Sequence, residues 1–180
     1  LWPRLGCPVI GQIGDSSPEE AASTARRLAS VDGLLGLELR LAPDAAPGDV
    51  RPLLRAVRRA ADLPVWLKIP LAGATAFAQA GADAGADALV IGAPPAGAAQ
   101  HPSGPLVRGD LFGPAAFAPM LAALCAVVEL GLERPLIACG GIHTPAQARQ
   151  ALAAGAAALQ LDSVVWLEPD AVGRIGEIGD

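Results

Sequence analysis

The chain has 180 residues, a formal net charge of −5 at pH 7, 52% hydrophobic residues and 17% charged residues. This length suits one domain with a sizeable core, and the apolar composition favours a buried parallel sheet over a helical bundle. The acidic balance, without a large basic cluster, argues against a nucleic-acid partner. No apolar run reaches the roughly 18 residues that a membrane span requires.

The cysteines and histidines do not indicate a metal site. Cys7, Cys125 and Cys139 are odd in number and far apart, which is typical of reduced thiols in a cytoplasmic protein. His101 and His143 have no carboxylate or thiol at ligand spacing, so we predict that no metal is bound. The start of the chain also lacks the pattern of a secretory signal, and we expect a cytoplasmic location.

Short apolar runs alternate with helical stretches along the chain. The predicted strands cover residues 8–13, 34–41, 63–69, 88–92, 135–138 and 157–161. The signals that open the helices are Ser17-Pro18, Asp49 as a cap, Gly113-Pro114 before a helix through Leu130, and Thr144-Pro145. A weak internal echo links "AGADALVIG" (84–92) with "AGAAALQLD" (154–162). This alternation predicts βαβ units and a parallel sheet in a single barrel-type domain over residues 1–180.

The positions of the glycines distinguish a barrel from an open dinucleotide-binding sheet. An open sheet of that kind carries G-x-G-x-x-G after its first strand, whereas this chain has "GQIGDSSPEE" there. The glycine pair Gly140-Gly141 instead follows the fifth predicted strand, just before a helix. Loops after the last two strands form the usual phosphate site of a (β/α)₈ barrel, so we predict a TIM-barrel type of fold.

Four ordered segments carry a family resemblance: "LPVWLKIP", "GDLFGPAAFAP", "LIACGGIHTPAQARQALAAGA" and "ALQLDSVVW". Together they resemble the later part of the dihydroorotate dehydrogenases, FMN-dependent (β/α)₈ barrels that oxidise dihydroorotate to orotate in pyrimidine biosynthesis. The resemblance covers about residues 8 to 170 and aligns the six predicted strands with barrel strands three to eight. It implies a flavoprotein oxidoreductase that binds FMN and a small-molecule substrate.

Lys68 is the chain's only lysine, and it lies near the end of an apolar strand. Alternation predicts that Trp66 and Lys68 share one side of that strand and Val65, Leu67 and Ile69 the other. The resemblance implies that Lys68 faces the pyrimidine edge of the flavin and stabilises negative charge there. The other interpretation is a strand-end lysine whose ammonium reaches solvent.

Two glycine segments also match the family. Gly140 and Gly141 are interpreted either as a seat for the FMN phosphate, next to the helix opened by Thr144, or as a plain tight turn. Gly109 and Gly113 match flavin-side glycines of the family's G-G-x-S-G stretch. Asp110 and Phe112 replace small residues of that stretch, and Phe112 is expected either to crowd the cofactor or to stack near it.

The substrate half departs from the family pattern N-x-S-C-P-N. In "LELRLAPD", Arg40 stands for the first asparagine, Ala42 for the base and Asp44 for the last asparagine. Ala42 cannot accept a proton. Glu38 and Arg40 are predicted to share one face of their strand, and Arg40, near Lys68, becomes a candidate for binding an anionic substrate group. A further asparagine of the family is replaced by Gly92-Ala93.

A second departure lies in the predicted phosphate site, where Asp162-Ser163 replaces a Gly-Thr pair. A carboxylate of Asp162 aimed at the phosphate would repel it, whereas with Asp162 turned away the Ser163 hydroxyl still donates. Both orientations stay open at this point.

The third departure is length, since these barrels typically take about 250 residues. About six βα units form an incomplete barrel with two unpaired strand edges, which invite association. The first two strands would come from another chain, the sequence would be a fragment, or the incomplete barrel would pair with itself. We therefore expect a homo-oligomer or a complementing chain.

Three functions remain under consideration. The first is an FMN-dependent oxidoreductase that acts on dihydroorotate or a related small acid. The second is a catalytically degenerate barrel that serves as a non-enzymatic subunit or scaffold, as the absent base at Ala42 suggests. The third is another phosphate-binding barrel, an isomerase or synthase in which Lys68 forms a Schiff base.

Overall fold

The computed structural model describes residues 6–14 and 16–179, and its main feature is a six-stranded parallel sheet. In sheet order the strands are β1 (Val9–Gly14), β2 (Leu34–Arg40), β3 (Val65–Pro70), β4 (Ala88–Ala93), β7 (Leu136–Cys139) and β8 (Ala158–Gln160). Two further strands, β5 (Ala96–Gln100) and β6 (Leu106–Asp110), form a separate antiparallel hairpin. The helices are α1 (Pro18–Ala29), α2 (Pro47–Ala60), α3 (Ala74–Ala84), α4 (Phe117–Val128), α5 (Pro145–Ala153), α6 (Val164–Leu167) and α7 (Ala171–Gly176).

The sheet curls into an incomplete α/β barrel, as the sequence predicts. In a flat sheet β2 and β8 would lie about 19 Å apart, because four steps of ~4.8 Å separate them. Nevertheless the Gln160 amide of β8 donates a hydrogen bond to Glu38 of β2 at 2.9 Å. Among the described strands, β1 and β8 end the sheet order, and each of them pairs with one neighbour.

The two faces of the sheet differ in character. The outer face and the helices enclose the main core, to which β3 contributes Val65, Leu67 and Ile69, all fully buried. The inner face carries Trp66 and Lys68 on the same strand, as alternation predicts. A small apolar cluster on this inner face packs against Trp66; it consists of Ala88, Val90, Ile137 and Cys139.

The predicted helix starts are confirmed at two of the positions where a cap was expected. Ser17 and Thr144 each accept a backbone hydrogen bond from the third helical residue. The predicted cap Asp49 was wrong: α2 begins at Pro47, and the Asp49 carboxylate reaches back to accept from the Ala46 N–H at 2.8 Å. An acidic side chain at the third helical position satisfies a different backbone donor, the N–H of the residue that precedes the helix.

The segment after β4 differs most from expectation. The hairpin of β5 and β6 was not predicted, because its Ala, Gly and Pro residues carry little strand preference. The single helix expected from Gly113 through Leu130 is a 3₁₀ turn, Pro114–Ala116, followed by α4, which ends at Val128. No helix in the described part of the chain is long and apolar enough to cross a membrane.

Candidate functional site

A buried polar network lies on the inner face of the half-barrel. The Lys68 ammonium donates to Gln160 Oε1 at 2.8 Å and lies 3.5 Å from Glu38 Oε1. Glu38 accepts further hydrogen bonds from the side-chain amides of Gln12 and Gln160. Lys68 is 6% exposed and Glu38 is 2% exposed. The Lys68 ammonium is therefore held by a buried counterion. This excludes the interpretation in which a strand-end ammonium reaches bulk solvent.

This network forms one wall of a cavity of about 330 Å³ at the carboxyl ends of the strands. The cavity is lined by Gln12, Arg40, Lys68, Pro94, Phe112, Gln160, Leu161 and Asp162. Charged and amide side chains thus form much of its wall, with Phe112 as the aromatic surface. A concave site with a few converging polar groups is typical of a small-molecule site.

Arg40 lies beside Lys68, because these two residues are register partners on β2 and β3. Glu38 and Arg40 share the inner face of β2, as predicted, and Arg40 lines the cavity. The Arg40 guanidinium also forms an ion pair at 3.0 Å with Asp110, the last residue of β6. Asp110 does not line this cavity; it lines a neighbouring one of about 270 Å³, which shares Arg40 and Pro94 with the first.

The Gly140-Gly141 loop follows β7 at the same edge of the sheet. Gly140 has a φ of +112° and Gly141 a φ of +70°, and a Cβ at Gly141 would lie 2.1 Å from the backbone nitrogen of Phe117. Close packing against the start of α4 thus explains Gly141 without a ligand. Both glycines line a crevice of about 20 Å³, which has room for little more than one water molecule.

A third, more open cavity of about 410 Å³ adjoins this crevice and is lined by Phe112, Gly113, Asp162, Ser163, Trp166 and Leu167. Phe112 and Asp162 line all three cavities and divide them from one another. Phe112 is 52% exposed. Ser163, which also lines the crevice, has its Oγ 3.0 Å from His143 Nε2.

Cys139 ends β7 on the inner face and is 2% exposed. Burial raises the pKa of its thiol, and the adjacent Lys68 ammonium offsets this only in part. A buried thiol of this kind is a poor nucleophile.

The structure brings most of the predicted site residues to one edge of the sheet. Lys68, Arg40 and Asp162 line the first cavity. The adjoining crevice, which shares Phe112 with that cavity, is lined by Gly113, Gly140, Gly141 and Ser163. Gly109 is the exception, since it is exposed in β6 and lines none of the three cavities.

Sequence reasoning missed Gln160 and the ion pair between Arg40 and Asp110. The internal echo held a signal for Gln160, because the amide stands where the first copy has Val90 on the same face. A polar residue in the middle of a predicted buried strand calls for a partner. Nothing in the sequence pattern indicated that Asp110 would meet Arg40.

Comparisons with known proteins give related matches in sequence and in structure. The chain is 30% identical over 191 residues to the dihydroorotate dehydrogenase B (NAD(+)) catalytic subunit of Pelobacter propionicus, covering 97% of this chain. It is 31% identical over 194 residues to the corresponding subunit of Geobacter sulfurreducens. It is 29% identical over 185 residues to the dihydroorotate dehydrogenase A (fumarate) of Lacticaseibacillus paracasei.

Among solved structures, the fold is similar to DHODH from Eimeria tenella in complex with ferulenol, with a TM-score of 0.72 and 14% sequence identity. That match covers 93% of this chain and 55% of the solved chain. The chain likewise spans 62% of the length of the Pelobacter relative. No family model matches the sequence.

Proposed function

Because the chain is dihydroorotate dehydrogenase-like along most of its length, we propose that it binds FMN and oxidises dihydroorotate or a related small acid. The observation that carries this proposal is the placement of Lys68. The only lysine of the chain is buried beside Glu38, yet lines a polar cavity at the edge of the sheet where barrel enzymes bind their ligands.

The residues present fit an FMN molecule. The Lys68 ammonium would face the pyrimidine edge of the ring, and Phe112 and Gly113 would lie along the ring system. The backbone of Gly140 and Gly141 and the Ser163 hydroxyl would hold the phosphate. The narrow crevice between the two larger cavities has to widen for this, and the half-exposed Phe112 ring is the side chain whose movement joins them. Gly109 is left out of this set.

Each remaining role follows from the chemistry of the side chain. Bound FMN supplies the electron acceptor. Arg40 would bind the carboxylate of the substrate, since a guanidinium matches a carboxylate in geometry and charge. Asp162 lines the crevice as well, and its carboxylate would oppose a phosphate bound there. Ala42 provides no proton acceptor. The proposal therefore includes related acids whose proton is accepted by a group at another position of the protein.

The test compares FMN with riboflavin, which has the same ring system but no phosphate. Titration of protein into each compound should quench flavin fluorescence, with FMN bound more tightly. Ser163→Ala removes one hydrogen bond to a charged group, so it should weaken FMN binding about tenfold and leave riboflavin unchanged. Anaerobic addition of dihydroorotate should then bleach the bound flavin. Failure of FMN to bind would refute the proposal, and binding without bleaching by any small acid would refute the oxidation.

We also propose that the open edges at β1 and β8 are covered by a second copy or by a complementing chain. Unpaired N–H and C=O groups along an edge strand favour such pairing. Light scattering on the purified protein, with size exclusion, should give a mass above that of one chain; a strictly monomeric mass would contradict this expectation for the isolated protein.

A further inference from the structure

We propose that Gln160 is a positioning residue, whose side-chain amide holds the Lys68 ammonium at the wall of the 330 Å³ cavity and away from Glu38. Without this amide the ammonium would close onto the Glu38 carboxylate and withdraw from a ligand in the cavity. The inference rests on the proposed function, in which Lys68 faces the flavin, and it gives Gln160 a role in that same site.

The distances around the ammonium show which contact fixes its position. Lys68 Nζ lies 2.8 Å from Gln160 Oε1, which is the length of a charge-assisted hydrogen bond. The distance from Nζ to Glu38 Oε1 is 3.5 Å, longer than the roughly 2.7–2.9 Å between a hydrogen-bonded ammonium and carboxylate. The carboxylate therefore acts on Lys68 through its charge, whereas the amide makes the short, directional contact.

The orientation of the Gln160 amide is fixed by its two charged partners. Its oxygen accepts from the Lys68 ammonium, and its nitrogen donates to Glu38 Oε2 at 2.9 Å. A turned amide would place its nitrogen against an ammonium, which has only donors, and its oxygen against a carboxylate, which has only acceptors. The amide therefore bridges the ion pair in one orientation and keeps the two charges apart.

The network has a front layer that faces the cavity and a carboxylate behind it. Gln12, Lys68 and Gln160 line the cavity. Glu38 does not line it; it is 2% exposed and accepts from both amides. An ammonium that moved towards Glu38 would leave the cavity wall and lie closer to the charge that cancels its field. Gln160 thus keeps the positive charge where a ligand can use it.

Cys139 is the other titratable group beside the ammonium. It is the register partner of Gln160 on the neighbouring strand β7 and is 2% exposed. Burial raises the pKa of its thiol, so the thiol is neutral near pH 7. Cys139 therefore adds no second anion, and among the described carboxylates Glu38 is the one that forms an ion pair with Lys68.

The test uses Gln160→Met, which keeps the length of the side chain and removes both its donor and its acceptor. Gln12→Met is the matched control, because the Gln12 amide also donates to Glu38 but none of the described hydrogen bonds joins it to Lys68. Each variant removes one donor from Glu38, so a general loosening of the network would affect both alike. Gln160→Asn is the second variant, since its amide is one methylene shorter and cannot span both partners.

The first measurement needs no cofactor. Lys68 is the chain's only lysine, so protein labelled with ¹⁵N at the lysine side chain gives a single ammonium signal in nitrogen–proton correlation spectra. Q160M should shift that signal several-fold more than Q12M does, because only in Q160M does the ammonium lose its 2.8 Å hydrogen bond. Q160N should shift the signal in the same direction as Q160M.

The second measurement separates positioning from a merely structural role. Reduced FMN carries the negative charge that Lys68 stabilises in the proposed function. Q160M should therefore weaken the binding of reduced FMN about tenfold and keep the affinity for oxidised FMN within about twofold. A tenfold loss confined to the reduced form lowers the two-electron reduction potential of bound FMN by about 30 mV. General loosening would weaken both forms equally and leave this potential unchanged.

Either of two results would overturn the inference. One is a Lys68 signal that shifts equally in Q160M and Q12M, and the other is an unchanged reduction potential of FMN bound to Q160M. If Q160M does not fold, the same comparisons with Q160N decide the question. Failure of the proposed function shows in the wild type: absence of FMN binding there refutes that function, whereas the lysine signal still decides what holds Lys68.

Discussion

Replacing Lys68 with methionine tests whether the inner polar network holds the half-barrel together. The substitution keeps the length and most of the volume of the side chain but removes its charge. Glu38 then remains 2% exposed without its counterion, and Gln160 Oε1 loses its donor. We expect Lys68→Met to destabilise the fold strongly.

The magnitude follows from the contacts that survive. Removing one partner of a buried ion pair typically costs about 3–5 kcal/mol. The amides of Gln12 and Gln160 still donate to Glu38, which reduces the penalty for the remaining charge. We therefore expect the low end, about 3 kcal/mol. Neutralising the second charge with Glu38→Gln should recover most of this loss, so the double variant K68M/E38Q should lie within about 1 kcal/mol of the wild type.

Urea unfolding, followed by circular dichroism and tryptophan fluorescence, measures these differences. With a slope near 2 kcal/mol per molar urea, a loss of about 3 kcal/mol lowers the midpoint by roughly 1.5 M. Arg174→Met is the control, because Arg174 and Glu168 form an ion pair at 3.2 Å with 54% and 62% of their side chains exposed. That control should change stability by less than about 0.5 kcal/mol.

Two results would refute this reasoning. One is a loss in K68M no larger than that in the Arg174 control, which would mean that Glu38 is solvated and the network is weak. The other is additive effects of K68M and E38Q, since residues in direct contact should show a coupling free energy of at least about 1 kcal/mol.

Three further predictions concern the same edge of the sheet. Gly141→Ala should lower the free energy of unfolding in urea by more than about 2 kcal/mol, because φ at Gly141 is +70° and the added Cβ would collide with backbone atoms. Gly48→Ala, in α2 with open space around it, should be neutral or stabilising. Equal changes in stability for the two variants would contradict this prediction. Asp162→Asn should tighten FMN binding several-fold in fluorescence titrations and leave riboflavin unchanged, and an equal gain for both compounds would show that the carboxylate does not face the phosphate. Cys139 should react with a thiol reagent far more slowly than the two exposed cysteines. Burial raises the pKa of the Cys139 thiol, so the folded state holds the thiol proton to higher pH than the unfolded chain does. The thiol's contribution to the free energy of unfolding is therefore complete below the ordinary thiol pKa and is lost as the pH rises through the raised pKa of the folded state. Cys139→Ala should remove this decline in stability with pH.

Much of the site was predictable because it depends on local rules. Alternation along β3 places Lys68 on the inner face, and parallel strands bring their carboxyl ends to one edge, where Gly140 and Gly141 also lie. The Ser17 and Thr144 caps follow from side chains that satisfy backbone donors a few residues away. These features require no knowledge of how the sheet curves.

The sequence by itself determined the alternation of strands and helices and the face on which Lys68 lies, because each follows from spacing within a few turns or strand residues. The incomplete barrel was expected from the family resemblance and the chain length. Only the tertiary structure decided what surrounds that ammonium. Glu38 and Gln160 are 122 residues apart, and Arg40 and Asp110 are 70 apart, so their contacts depend on the curl of the sheet and the placement of an unpredicted hairpin. Buried charges select partners by distance in space, and that distance is fixed when the whole sheet has formed.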